Sequence, residues 1–131
     1  MCLLDAVHEW SESAITCRAT SHNDPANPLR AEGRLGAANG IEYAAQAMAI
    51  HGALLANVDD QPRQGYLTSV RSVSLHVARL DDLPGELEVQ AERLSGDANN
   101  ILYQFSLSHQ GCCLLEGRAA VVLDAATVDR K

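Results

Sequence analysis

Apolar and polar positions alternate in clear runs through the second half of the chain. Leu87, Val89 and Ala91 face one way while Glu86, Glu88, Gln90 and Glu92 face the other, which predicts a strand over 86–92 with one wet face. Ile101, Tyr103, Phe105 and Leu107 supply the apolar face of the next strand, and Cys113, Leu115, Ala119, Val121 and Leu123 that of a strand over 112–123. A long strand over 66–77 precedes these, with Leu67, Val73, Leu75 and Val77 in one phase and Arg71 interrupting. Pro84-Gly85, residues 96–100 and His109-Gln110-Gly111 carry the turn residues between the runs. Near the N-terminus, residues 3–10 read as an extended arm anchored by Leu4, Val7 and Trp10. Ser11-Glu12-Ser13 turns it into a strand over 14–20 whose apolar side is Ile15, Cys17 and Ala19.

The period changes between residues 39 and 56. Ile41, Ala45, Met48, Gly52 and Leu55 recur at steps of four and three, which predicts one helix over Asn39–Ala56. Asn39 is a suitable N-cap, with Glu42 three residues on as in a capping box. Ala44, Ala47, Ala49, Ala53 and Ala56 fill the other faces, so the helix is apolar all round and is expected to be buried all round. A membrane span is excluded by the carboxylate of Glu42, the amide of Gln46 and the weak hydrophobicity of alanine.

The four strands after the helix predict an antiparallel meander with one apolar face, and this helix is the element able to cover it. An α+β fold follows, an antiparallel sheet wrapped around one long buried helix, as a single domain over 1–131. Residues 124–131 read as a flexible tail and 57–65 as a turn-rich connection. Free strand edges favour association with a second subunit.

Composition narrows the function. The net charge of −7 argues against a general nucleic-acid binder and against docking on an anionic membrane. Cys2, Cys17, Cys112 and Cys113 show no CxxC spacing, so no metal site is expected, and the Cys112-Cys113 pair is expected to point one thiol inward and one outward. No basic-then-apolar leader is visible, and a reducing, cytoplasmic setting is expected. Nucleophilic acyl transfer lacks support, since no Gly-x-Ser-x-Gly elbow occurs.

Candidate chemistry gathers where the 21–38 loop meets the helix. The loop holds two prolines and no sustained period, and connections of that length are commonly functional or disordered. His22-Asn23-Asp24-Pro25, then Gly36-Ala37, then Glu42-Tyr43-Ala44-Ala45-Gln46-Ala47 resembles the active-site signature of 3-hydroxyacyl-[acyl carrier protein] dehydratases of the FabA/FabZ type. Within that family the chain is similar to the small dehydratase-like proteins of aryl polyene clusters. The separation of histidine and acid, 42 − 22 = 20 residues, exceeds that of the usual motif, and the usual Pro-Gly step stands here as Gly36-Ala37.

The resemblance implies the hot-dog fold, a homodimer or tetramer of dimers or a heterodimer with a related dehydratase, and no cofactor. It implies dehydration of a 3-hydroxyacyl thioester, carried on acyl carrier protein or CoA, to the trans-2-enoyl form, in fatty-acid or polyene biosynthesis. His22 is then the base at the carbon beside the thioester carbonyl, and Glu42 from the other protomer protonates the departing hydroxyl. Gly36, Ala37, Ala38 and Gln46 bind substrate, the backbone N–H groups at the helix start holding the thioester oxygen. Two rival readings stand beside it: a hot-dog thioesterase, and a non-catalytic or partner-dependent subunit that binds acyl carrier protein. Outside the resemblance, Glu42 reads as a cap, His22 as a polar loop residue, Gln46 as a partner for a backbone group and His51 as a hydrogen-bonded core histidine.

Overall fold

A computed structural model describes residues 3–55, 65–96 and 100–123. The connection expected over 57–65, the tail at 124–131 and most of the turn at 96–100 lie outside the described residues. Among the described residues there are six strands: β1 (Ala6–Trp10), β2 (Ala14–Ala19), β3 (Gly65–Leu75), β4 (Leu87–Gly96), β5 (Asn100–His109) and β6 (Cys112–Leu123). Helix α1 (Gly40–Leu55) follows two 3-10 turns at Ser21–Asn23 and Ala37–Asn39.

The strands form one antiparallel sheet in the order β1-β2-β4-β5-β6-β3. The expected meander therefore holds for β4, β5 and β6 but not for β3. That strand pairs with β6 at the far edge, and residues 76–86 carry the chain back across to β4. Alternation reveals which side chains face the core and is silent on which strands are neighbours. The N-terminal β2 joins the same sheet through β4, from Ala14 opposite Glu92 to Ala19 opposite Leu87.

The alternating runs of β2, β4 and β5 are confirmed. Ile15, Cys17, Ala19, Leu87, Val89, Ala91, Ile101, Tyr103, Phe105 and Leu107 are all buried. The runs of β3 and β6 hold in part: Val73, Val77, Leu115, Ala119 and Val121 do pack on the core, but both strands carry bulges that change which side other residues face. In β3, register shifts occur between Leu67 and Ser69 and between Arg71 and Ser74, and Ser72 takes φ 55°. Leu67 and Leu75 end up exposed, while Val70 and Val73 pack on the core. In β6, Leu107 pairs with Leu115 and Ser108 with Cys113, so Leu114 is the extra residue. Leu114 and Leu115 both point inward, and Cys112 and Cys113 are both exposed rather than split between faces. Val7 and Trp10 do not anchor the arm either: β1 is an edge strand and leaves them exposed, and Leu3 and Leu4 are the buried residues there.

The helix departs from expectation in two ways. It is not enclosed all round: Tyr43, Ala44, Ala47, Met48 and His51 are buried, while Glu42, Ala49, Ala53 and Leu54 are exposed. Ile41, Ala45 and Gly52, which the period placed on the core face, are only half-buried. A helix made largely of alanine has too little contrast between its faces for periodicity to choose one. Nor does Asn39 cap it. Its amide nitrogen donates to the Gly36 carbonyl at 3.2 Å, and a 3-10 turn leads into the helix.

Burying leucine or phenylalanine side chains contributes roughly 1.5–3 kcal/mol each, and Phe105, Leu107 and Leu115 of the sheet do so fully. The start of α1 sits directly on two of them. A Cβ on Gly40 would come within 2.6 Å of Leu115 Cδ2 and 3.1 Å of Leu107 Cδ2. Gly40→Ala is therefore expected to cost about 1–3 kcal/mol through overpacking, despite alanine's better helix propensity. Urea denaturation checks this, read as a lowered midpoint with an unchanged slope.

Candidate active site

The loop of residues 21–38 is tied to the helix by a directed chain of hydrogen bonds. The Ser21 hydroxyl donates to the Leu3 carbonyl at 2.7 Å, so at 2.8 Å it must accept from the Tyr43 phenol. The Tyr43 oxygen in turn accepts from the Asn27 amide at 3.0 Å, and the same amide donates to the Ser21 carbonyl at 2.9 Å. Each hydroxyl proton is used once. Burial pushes the Tyr43 phenol above its ordinary pKa, with the hydrogen bonds to Ser21 and Asn27 opposing the shift. Farther along the loop, Leu35 N–H donates to Asp81 at 2.8 Å, and Asp81 also pairs with Arg79. The Arg79 hydrogen bond, then that of Leu35, holds the Asp81 carboxyl well below the usual carboxylate range.

His22 lies in the first 3-10 turn and is fully buried. Its Nε2 meets the Leu83 carbonyl at 2.9 Å, which requires Nε2 to carry the proton. In the neutral ring the lone pair is then on Nδ1, and that atom is buried without a hydrogen-bond partner. Burial lowers the His22 pKa; His109 and Arg30 add to the effect, while the Leu83 bond and Asp5 oppose it. Arg30 also fixes the turn, donating to the His22 carbonyl at 3.1 Å.

Glu42 occupies the first turn of α1, where the helix dipole favours an anion, and it is exposed. The phenol of neighbouring Tyr43 points in toward the His22 loop, whereas Glu42 lies on the open stripe with Ala49 and Ala53. Among the described residues, no hydrogen bond joins His22 to Glu42. Gln46 accepts from Leu3 N–H at 2.8 Å, the backbone role expected of it. Ala37 N–H donates to the Ala78 carbonyl at 3.0 Å, which leaves Gly36 and Ala38 as the other backbone groups of the turn that could face a thioester oxygen. His51 is the core histidine expected, its Nε2 2.8 Å from the Ser11 carbonyl and its Nδ1 2.8 Å from the Tyr103 hydroxyl. A hollow of about 430 Å³ between the far ends of β4, β5 and β6, lined by Ser95, Gly96, Asn100, Ile101, Leu102 and Ala120, contains none of these residues.

Sequence reasoning missed Tyr43, Ser21 and Asn27. A lone tyrosine in an alanine-rich helix was the available signal, but its partners lie 16 and 22 residues away in an aperiodic loop.

The ApeP-like family model, described as ApeP dehydratase, matches residues 1–129. The chain belongs to the ApeP-like dehydratase family. Comparison with curated proteins finds no match. Among solved structures, the dehydratase heterocomplex ApeI:P from Xenorhabdus doucetiae matches with TM-score 0.85 and 24% identity, over 96% of this chain and 85% of that one. A thioesterase from Staphylococcus aureus matches with TM-score 0.67 and 12% identity, over 90% and 91% of the two chains. A thioesterase from Pseudomonas aeruginosa matches with TM-score 0.60 and 15% identity, over 89% and 80%. These neighbours share the hot-dog fold, a sheet curled about one helix. Among the described residues, no helix is long and apolar enough to cross a membrane.

Two outcomes are expected for this region. Tyr43→Phe should cost about 1–3 kcal/mol, because it leaves buried partners of the phenol unsatisfied, and amide exchange over 21–27 should quicken. His22 should make stability pH-dependent. Its folded pKa lies below the unfolded value of about 6.5, so its contribution is intact above that pH and is lost as pH falls through the lowered folded value. His22→Gln keeps a donor for Leu83 and cannot titrate, so urea midpoints measured from neutral pH downward should fall less steeply in that variant.

Proposed function

We propose that the chain dehydrates a 3-hydroxyacyl thioester, carried on acyl carrier protein or CoA, at a site completed by a second hot-dog subunit. Membership of the ApeP-like dehydratase family supplies the reaction class. The observation that carries the shared site is the position of Glu42, exposed on the open stripe of a helix whose other side is sealed. The base removes a proton from the α-carbon, and the electron pair forms the new double bond as the β-carbon–oxygen bond breaks. The Glu42 carboxyl gives its proton to the leaving hydroxyl, which departs as water. Covering the stripe with a partner would exclude water from around the Glu42 carboxyl, the setting in which an acid catalyst works. The backbone of Gly36 and Ala38, at the positive end of α1, would face the thioester oxygen where negative charge builds up. His22 suits the base in one respect: its proton is fixed on Nε2, so the Nδ1 lone pair is the accepting atom.

The complete burial of His22 favours a second reading, in which His22 holds the loop and the base comes from a related dehydratase subunit. The ApeI:P structure is a dehydratase heterocomplex, and the likeness to it supports a heterodimer here. The free thiols of Cys17, Cys112 and Cys113 fit a reducing, cytoplasmic setting.

Hydration of an enoyl thioester, followed for the chain alone and beside a related dehydratase subunit, tests both readings. Glu42→Gln keeps the shape but lacks an acidic proton, so it should lower turnover by about 10²–10⁴-fold with the fold intact. His22→Gln should do the same if His22 is the base, and leave turnover nearly unchanged if it only holds the loop. Near-normal turnover in Glu42→Gln would contradict the proposal.

A further inference from the structure

The bulge in β6 has a chemical result on the exposed side of the sheet. In a regular strand Cys113 and Glu116 would point to opposite faces, because they are three residues apart. With Leu114 turned inward as the extra residue, both emerge on one side. The chain just beyond β3 brings a third group there. His76 N–H donates to the Leu114 carbonyl at 2.8 Å, and its Nε2 stands 3.2 Å from Glu116 Oε2.

We propose that His76, Cys113 and Glu116 bind one divalent transition-metal ion of the zinc class, with water completing the coordination. The three ligand atoms all lie within 4.8 Å of one another. Tetrahedral zinc, with bonds of about 2.0–2.3 Å, places neighbouring ligand atoms roughly 3.3–3.6 Å apart. The His76–Glu116 spacing already matches, and small rotations of exposed side chains bring the sulfur in. Imidazole, thiolate and carboxylate together form a donor set suited to zinc, whereas magnesium and calcium take oxygen ligands. On binding, the Cys113 thiol releases its proton to solvent and the sulfur takes up the metal; nothing is oxidised or reduced. The competing explanation is a solvent-exposed histidine–glutamate pair, with the thiol donating weakly to the Leu115 carbonyl at 3.5 Å. The sequence hides this cluster, since a C-x-x-E step and a histidine 37 residues earlier match no zinc motif.

The site shares no residue with His22 or Glu42, so it can be tested apart from dehydration. The metal-free, reduced chain is titrated with cobalt(II) and followed by visible and near-ultraviolet absorption. One equivalent should give tetrahedral d–d bands with a sulfur-to-cobalt charge-transfer band, and zinc(II) should displace both. Cys113→Ser should lose the charge-transfer band, and His76→Ala and Glu116→Gln should weaken binding by at least the 10- to 100-fold typical of losing even an outer-shell partner. Cys112→Ser should leave binding unchanged. All four positions are at least partly exposed, so the variants should stay folded, which circular dichroism checks. Absence of the bands in excess cobalt, or their persistence in Cys113→Ser, would overturn the assignment.

Discussion

The Tyr43 phenol is the point on which the site region depends. Through it the N-terminal arm at Leu3, the loop at Ser21 and Asn27, and the buried face of α1 become one unit. The loop lacks a regular ladder, so its backbone polar groups need partners of this kind when buried. Ser21, Asn27, Arg30 and Asp81 provide them, which explains how a stretch with two prolines and no period holds His22 in a fully buried position.

That constraint divides the candidate chemistry between two environments. His22 is sealed inside its own protomer with a fixed tautomer and an unpartnered Nδ1. Glu42, one residue before Tyr43, faces outward on the stripe that the sheet does not cover. On the proposed reading Glu42 is the catalytic acid, which needs a dry setting that this protomer does not give it. That reading therefore calls for a second subunit, with the open stripe of α1 as the surface to be covered.

The sequence made the helix-wrapped sheet legible wherever alternation was regular. Leu87-Val89-Ala91 and Ile101-Tyr103-Phe105-Leu107 announced their buried faces directly. It misled locally where a bulge shifts the phase, near Ser72 and at Leu114, and left Leu67, Leu75 and Cys113 exposed. It was also silent on strand order, which placed β3 beside β6. Of the candidate site, Glu42, Gln46 and His22 were proposed through motif resemblance, while the groups that hold the His22 loop showed only in the folded structure. Tyr43, Asp81 and Leu83 act on the loop from 16 to 61 residues away, a separation no local pattern encodes.

Complementation between variants tests the shared site most directly. His22→Gln and Glu42→Gln chains, each nearly inactive alone, are unfolded together, refolded as a mixture and assayed for enoyl thioester hydration. If His22 of one protomer works with Glu42 of the other, half of the dimers are mixed and each holds one intact site, so activity should return to about a quarter of the wild-type value. A mixture as inactive as its components, prepared from a wild-type chain that is active alone, would contradict a site shared between protomers.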